Sequence, residues 1–523
     1  MTILKSYPVA ILKSHPVVIL LLLATAAMPF GRAVAADCNK LKSAQFPDTR
    51  ITRVEEVAPN PIWVYPPSLF TTQAEKLANG PVGAQKPFCR VVGIIEKEIN
   101  FEVWLPKDWN GKFQGVGNGG LTGAINYPAM GTALGHGYAT ASTDTGHRTQ
   151  QGFFEDEWLE GHPERLVNFA HRAHHLLAVT GKQIVKTYYA KPASRAYFSG
   201  CSSGGWEALS EAQRYPDDYD GIVAGAPAIN LVQVQSRSIL VAQMGVKNPQ
   251  GTLTHELALQ LAAAGVARCD AKDGVKDGVI DDPRKCDFDP AELQCKGDSS
   301  KDCLTEAQVR TARALYGPTK SPGGMKLYPG AAYGASPLAE LPISAKTEPG
   351  HAAITLMTAQ KPSWDVRTFN SDRDIPGLQK ELGDTLNAMS PDLHRFQAQG
   401  GKLILYHGWA DPLLSPYNTL DYYGSVVQTM GGQQATDAFL RLFMVPGMEH
   451  CRGGPGPDTF DAVASLADWV EHGVPPERII ATRKGADGKT ADRSRPLCRY
   501  PQVARYKGSG STDEAASFSC QTL

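Results

Sequence analysis

The chain has 523 residues, 42% of them hydrophobic, enough for a large core and for more than one structural unit. Its 52 Lys and Arg nearly cancel its 53 Asp and Glu, leaving a formal charge of −1. That balance argues against nucleic acid or another polyanion as a partner. The N-terminus then reads as a signal peptide over 1–36. Lys5 and Lys13 precede the apolar run 17–23, and Ala33-Val34-Ala35 or Val34-Ala35-Ala36 offers a small-residue cleavage site. The run is short for a membrane span, and nothing later looks transmembrane, so no membrane partner is expected. The mature chain should start near Ala36 or Asp37 and be secreted or periplasmic.

All ten cysteines follow the cleavage site: Cys38, Cys89, Cys201, Cys269, Cys286, Cys295, Cys303, Cys451, Cys498 and Cys520. An even number in an exported chain reads as disulfides. Nearest-neighbour pairing would join Cys269 to Cys286, Cys295 to Cys303 and Cys498 to Cys520, although spacing alone does not fix connectivity. The C-x2-C pairs of a zinc site are absent.

Residues 89–145 carry strand-like segments divided by turns. Residues 101–105 alternate and stop at Pro106, and residues 112–116 run into Gly117-Asn118-Gly119-Gly120. Residues 138–142 read as a further strand, leading to Asp144 and His147. Residues 164–190 read as one long helix, with Phe169, Ala173, Leu177, Ile184 and Tyr188 broadly on one face. Its His171, His174 and His175 lack acidic or cysteine partners at ligand spacing, so they read as ordinary helix histidines.

Residues 196–198 form a short apolar run ahead of Gly200-Cys201-Ser202-Ser203-Gly204, and residues 204–215 have helical composition up to Pro216. A G-x-S-x-G between a strand and a helix lifts the serine above the sheet edge, making Ser202 a candidate nucleophile. The helix start behind it offers free N–H groups and a positive dipole end. Residues 221–227 read as another buried strand. From 228 to 396 strand–helix alternation weakens. Helices are expected at 254–267 and 305–316, with clustered cysteines, an acidic loop and Pro/Gly-rich stretches around them.

Sheet patterning resumes at 402–406 and 439–445. The first strand runs into His407-Gly-Trp-Ala-Asp411, the second into Pro446-Gly-Met-Glu-His450. Serine, acid and histidine, each after a plausible strand and in that order, give the arrangement of an α/β-hydrolase. His450 would take the Ser202 proton, and Asp411 would hold the imidazole. His407 sits too close to Asp411 for the usual strand spacing and reads as structural. Asp144 is a rival acid that precedes the nucleophile. The oxyanion donors would be the N–H of Ser203 and that of Gly119 or Gly120.

The chain resembles the tannase and feruloyl esterase family of α/β-hydrolases, which also includes a hydrolase of mono(2-hydroxyethyl) terephthalate. The resemblance rests on LPKDWNGKF (105–113), GNGG (117–120), STDTGH (142–147), YFSGCSSGG (197–205), LTEAQVRTARALYGP (304–318), HGWADP (407–412) and VPGMEHCRGGPGP (445–457). One departure is Trp206, where a polar residue is expected. The resemblance implies a carboxylic ester hydrolase acting on small aromatic esters, feruloyl or other hydroxycinnamoyl or galloyl, some attached to plant polysaccharide or polyphenol. Terephthalate monoesters are the alternative substrates. A calcium-stabilised extracellular binding protein is the non-catalytic alternative, and an intact Ser, Asp and His set argues against it. The implied architecture is a hydrolase core at 37–227 and 397–523, with a large inserted lid domain at 228–396.

Asp270, Asp273 and Asp277 put three carboxylates in ten residues with glycines between them, which suits a hard cation. The spacing is not that of an EF-hand. The resemblance implies structural Ca2+ held by these three side chains and by the carbonyls of Val275 and Val279. It also points to a bridge between Cys201 and Cys451, in accord with their places beside Ser202 and His450. Chain neighbours of two hydrogen-bonded residues can meet the ~4.4–6.8 Å Cα separation of a disulfide. Within the lid, Trp364, Phe369 and Tyr328 are aromatic residues that read as lid core sooner than as substrate platforms.

Overall fold

Apolar runs with little alternation make strands buried on both faces, and several such runs build the central sheet. Numbering only its strands, they are β1 (Thr49–Val57), β2 (Phe88–Ile95), β3 (Ile99–Pro106), β4 (Lys112–Val116), β5 (Ala139–Thr143), β6 (Arg195–Cys201), β7 (Gly221–Gly225), β8 (Lys402–Gly408) and β9 (Leu440–Val445). These come from a computed structural model, which describes residues 37–63, 82–84, 86–148, 157–296, 303–336, 366–485, 488 and 490–522. The expected signal peptide and Trp364 lie outside the described residues.

The spatial order is β1-β2-β3-β5-β4-β6-β7-β8-β9. β1, β2, β3 and β5 pair antiparallel, each with its neighbour, and β5 onward is parallel. Cys201 pairs with Gly225, Gly225 with Tyr406, and Gly408 with Val445. The carboxyl ends of β6, β7, β8 and β9 therefore share one edge, where ligands of parallel sheets bind. This is the α/β arrangement anticipated from the sequence.

Helices flank the sheet: α1 (Tyr127–Gly135), α2 (Ala173–Tyr189) and α3 (Ser203–Arg214) in the first half, α8 (Pro416–Thr429) and α9 (Ala462–His472) in the second. The helix expected at 164–190 is interrupted. A short helical turn, Glu164–Val167, passes through a π-type turn, Asn168–Arg172, before α2 begins. Trp158, Phe169 and Trp206 stack in sequence there, and Trp206 is fully buried.

Between β7 and β8 no described residue joins the sheet. The stretch holds α4 (Leu231–Lys247), α5 (His255–Cys269), α6 (Glu306–Tyr316) and α7 (Ser371–Leu386). It has an apolar cluster of its own, in which Leu257, Leu261, Phe288, Val309 and Leu315 are buried together. Thr305 starts α6 with a reciprocal capping box to Gln308, which satisfies two otherwise orphaned N–H groups.

All ten cysteines pair. Cys269–Cys286, Cys295–Cys303 and Cys498–Cys520 are the nearest-neighbour bridges, Cys38–Cys89 ties the N-terminus to β2, and Cys201–Cys451 joins distant parts of the chain. The C-terminus forms two hairpins that sequence patterning did not suggest, Arg478–Lys484 with Ala491–Cys498 and Gln502–Tyr506 with Phe518–Thr522. Their arginines reach the acidic loop: Arg495 pairs with Asp277, and Arg505 donates to the Asp273 carbonyl.

Candidate active site

Ser202 sits between the end of β6 and the first turn of α3 at φ 65° and ψ −122°. A non-glycine residue at positive φ is strained, and this backbone is kept only where the surroundings force it. Two glycines permit the close approach. A Cβ on Gly200 would lie 2.3 Å from the Gly204 carbonyl oxygen, and one on Gly205 would lie 2.1 Å from that of Gly225. The Ser202 N–H donates to the Gly225 carbonyl, fixing the turn to β7.

His450 bridges the other two candidates. Its Nε2 lies 2.8 Å from Ser202 Oγ, and its Nδ1 lies 2.7 Å from Asp411 Oδ2. An ionised carboxylate only accepts, so Nδ1 carries the proton and Nε2 is free to accept the serine proton. Asp411 is 1% exposed, and its other oxygen accepts the Leu413 and Leu414 N–H groups at 2.9 Å each. Burial works against its charge, but the His450 and His407 imidazoles outweigh burial and hold the carboxyl well below the usual range.

The Cys201–Cys451 bridge, Cα atoms 6.0 Å apart, ties the residue before Ser202 to the residue after His450. Cys451 is itself at positive φ, so the histidine loop is as sharply bent as the serine turn.

His407 does more than pack. It is fully buried, and its Nε2 points at Asp411 Oδ2 and at the Leu414 carbonyl, 3.1 Å from each. Its Nδ1 meets Thr419 Oγ1 of α8 at 2.7 Å. Both partners of Nε2 are acceptors, so His407 donates there. Spacing alone carries no sign of this, because a histidine four residues from an acid need not meet it.

The glycine loop is clamped to the start of α3. Gly204 N–H donates to the Asn118 carbonyl at 2.9 Å, and Ser203 Oγ donates to the Gly120 carbonyl at 2.6 Å. Ser203 is the first residue of α3, where an N–H has no intrahelical acceptor. Gly119 and Gly120 are half-exposed beside it.

Asp144 is not brought to the histidine. Its oxygens accept from Asn100 and from the Gly146 N–H, and burial pushes its carboxyl up to about 7. The three histidines of the 164–190 stretch go to three separate partners: His171 to Tyr215, His174 to Glu207 and His175 to Asp218. They form no common site. Trp206 donates its indole N–H to the Leu386 carbonyl at 2.6 Å, joining α3 to the end of α7. Tyr328 and Phe369 are buried, and the Tyr328 hydroxyl accepts the Ser415 N–H.

In the acidic loop, Asp270 accepts the Asp277 and Gly278 N–H groups, Asp273 that of Val275, and Asp277 that of Val279. Burial pushes the Asp273 carboxyl up to about 6, and Asp277 and Asp270 push it the same way. Burial likewise pushes Asp281 up to about 8, with Asp273 and Asp277 adding. Carboxylates that repel one another in a half-buried turn fit a hard cation in charge and in donor type. Among the described residues, no three His, Cys, Asp or Glu side chains converge as a metal cluster. The backbone N–H groups and Arg495 take up the oxygens instead.

A parallel sheet with serine, acid and histidine aligned at its carboxyl edge defines a serine hydrolase of the α/β type. The model of the family described as "Tannase and feruloyl esterase" matches residues 82–521, and the chain belongs to that family. It is therefore a carboxylic ester hydrolase. An uncharacterized esterase of Xanthomonas campestris pv. campestris is 34% identical, over 95% of this chain and 93% of its own. A probable feruloyl esterase B-1 of Aspergillus flavus is 32% identical, over 83% of this chain and 86% of its own. The crystal structure of feruloyl esterase B from Aspergillus oryzae superposes with a TM-score of 0.83 at 28% identity, covering 93% of this chain and 100% of that one.

Proposed function

We propose that this chain is an exported serine esterase that hydrolyses esters of aromatic acids, feruloyl or other hydroxycinnamoyl or galloyl, through an acyl-enzyme. The observation that carries the reading is the unbroken link from Ser202 through His450 to Asp411, at 2.8 and 2.7 Å. Ser202 Oγ attacks the ester carbonyl carbon while its proton passes to His450 Nε2. Asp411 holds the tautomer and stabilises the imidazolium. The tetrahedral oxyanion is met by the Ser203 N–H and by an N–H of the Gly119–Gly120 turn. The C–O bond to the alcohol breaks, and the alcohol leaves with the proton from His450. Water then attacks the acyl-enzyme by the same route and releases the acid. No step uses a metal.

The probable feruloyl esterases among its relatives support the choice of an aromatic acid. Its esters would be small molecules, some of them carried on plant polysaccharide or polyphenol. Five disulfides support export, as does the sequence of 1–36, which reads as a signal peptide. The stretch between β7 and β8 would act as the lid that shapes the acid and alcohol pockets. Asp270, Asp273 and Asp277, with the Val275 and Val279 carbonyls, would hold Ca2+, whose contribution is structural. The test is turnover of methyl ferulate against the matching feruloyl amide. Wild type should cleave the ester alone, and Ser202→Ala should remain folded with activity lower by several orders of magnitude. Wild-type-like turnover by Ser202→Ala would sink the assignment.

A further inference from the structure

Glu207 lies one turn into α3 and its side chain is wholly shut off from solvent. A buried carboxylate is costly unless it is paired and hydrogen-bonded. Among the described residues no lysine or arginine pairs with it. The basic group it meets is His174 of α2, also buried, whose Nε2 lies 3.0 Å from Glu207 Oε2. The same oxygen accepts the backbone N–H of Asn118 at 2.8 Å. Asn118 opens the glycine turn behind which the oxyanion donors sit. Its carbonyl accepts from Gly204, and its side-chain amide donates to the Thr143 carbonyl at the end of β5. The turn also comes down tightly on the carboxylate, since a Cβ on Gly117 would lie 2.7 Å from Glu207 Oε2.

We propose that Glu207 is the positioning residue of the oxyanion site: its carboxylate fixes the Gly117–Gly120 turn against α3 by accepting the Asn118 N–H. The inference rests on the esterase reading above and deepens it. Ser203, four residues before Glu207 on α3, is the first oxyanion donor, and the turn supplies the second. A single helix thus carries one donor and sets the place of the other. The role is that of an acceptor at a fixed point, with the buried His174 ring beside it. No proton is exchanged with substrate.

The experiment compares wild type, Glu207→Gln, Glu207→Met and Glu207→Asp on an aryl ester. It also measures the affinity of an aryl trifluoromethyl ketone, which forms a tetrahedral oxyanion on the serine, and of the matching amide, which stays planar. Glu207→Gln keeps an oxygen for Asn118 and should hold kcat within about threefold, a small part of the hundredfold or more that a lost oxyanion donor costs. Glu207→Met removes the acceptor. It should lower kcat and trifluoromethyl ketone affinity together by about tenfold or more, with KM and amide affinity little changed. If Glu207→Met does not fold, Glu207→Asp, which withdraws the acceptor by one methylene, carries the same expectation. The proposal is overturned if the Met or Asp variant keeps ketone affinity, if it loses ketone and amide equally, or if Gln is as damaging as Met. A wild type that neither turns over the ester nor binds the ketone would instead overturn the esterase reading.

Discussion

Asp411 makes four contacts, and they divide by oxygen. Two backbone N–H groups fix one oxygen, and two imidazoles meet the other. His450 faces Ser202, whereas His407 faces inward to Thr419 and can only hold the carboxylate in place. Replacing His407 by Asn should therefore act through Asp411. Loss of one charge-assisted hydrogen bond should lower kcat on aryl esters by roughly tenfold, with KM little changed. A variant with unchanged kcat would return His407 to a packing role. The same carboxylate should mark the acid limb of stability. Its pKa is depressed in the folded state, so its contribution is present above the unfolded value of about 3.9 and is lost as pH falls below it. The difference in urea midpoint between wild type and Asp411→Asn should therefore shrink from pH 6 to pH 3. A difference that stays constant would mean that the ionic contacts do not hold Asp411.

At the scale of elements, legibility followed apolar pattern. β4, β8 and β9 are short apolar runs that lead into glycine, a histidine-glycine pair or proline, and each was readable within a residue or two, whereas β6, read as 196–198, runs three residues further to Cys201. β1 was not. Its sequence TRITRVEEV alternates charged residues on an edge strand, and none of it is fully buried, so no hydrophobic run announces it. α7 was hidden by Pro376, which stands inside the helix, and by Gly377 and Gly383, which read as turn residues. The C-terminal hairpins are rich in arginine: Arg495 and Arg505 reach the acidic loop, whereas Arg483 and Arg493 pair with Asp492 and Asp513. The triad was readable because each member stands just past a strand. The links from Glu207 to Asn118 and from His407 to Asp411 were not, since they depend on how side chains meet in space. The strand-to-helix turn at Ser202 and the loop at His450 are both bent against their preference and are fastened to each other by Cys201–Cys451. Cys201→Ala with Cys451→Ala should lose most activity while keeping most secondary structure. Its stability should fall by no more than ~5 kcal/mol, the chain-entropy bound for so long a loop. Circular dichroism with aryl ester turnover measures both, and full activity in the double variant would refute the fastening role.

For the whole molecule, the acidic loop is a junction. Val275 packs against the C-terminal hairpins at Cys498, Ala504 and Phe518, and Arg495 and Arg505 reach Asp277 and the Asp273 carbonyl. A cation in that loop would stabilise the joint between the β7–β8 stretch and the C-terminal hairpins. A calcium chelator should accordingly lower the melting temperature, by several degrees if the ion binds the folded state alone. Asp273→Asn should be less stable at the outset and insensitive to chelator. Purified protein that contains no calcium on elemental analysis would remove the ion from the account.

The bridge between Cys201 and Cys451 spans 250 residues and encloses the whole of the stretch between β7 and β8. The chain from 201 to 451 is thus a covalent ring, with Ser202 and His450 just inside its clasp. A protease that nicks any peptide bond between them opens the ring without releasing either end. The two pieces stay joined beside the serine and the histidine, and separate on a gel only after reduction. A cut anywhere in that ring is in this way kept from parting the residues that do the chemistry.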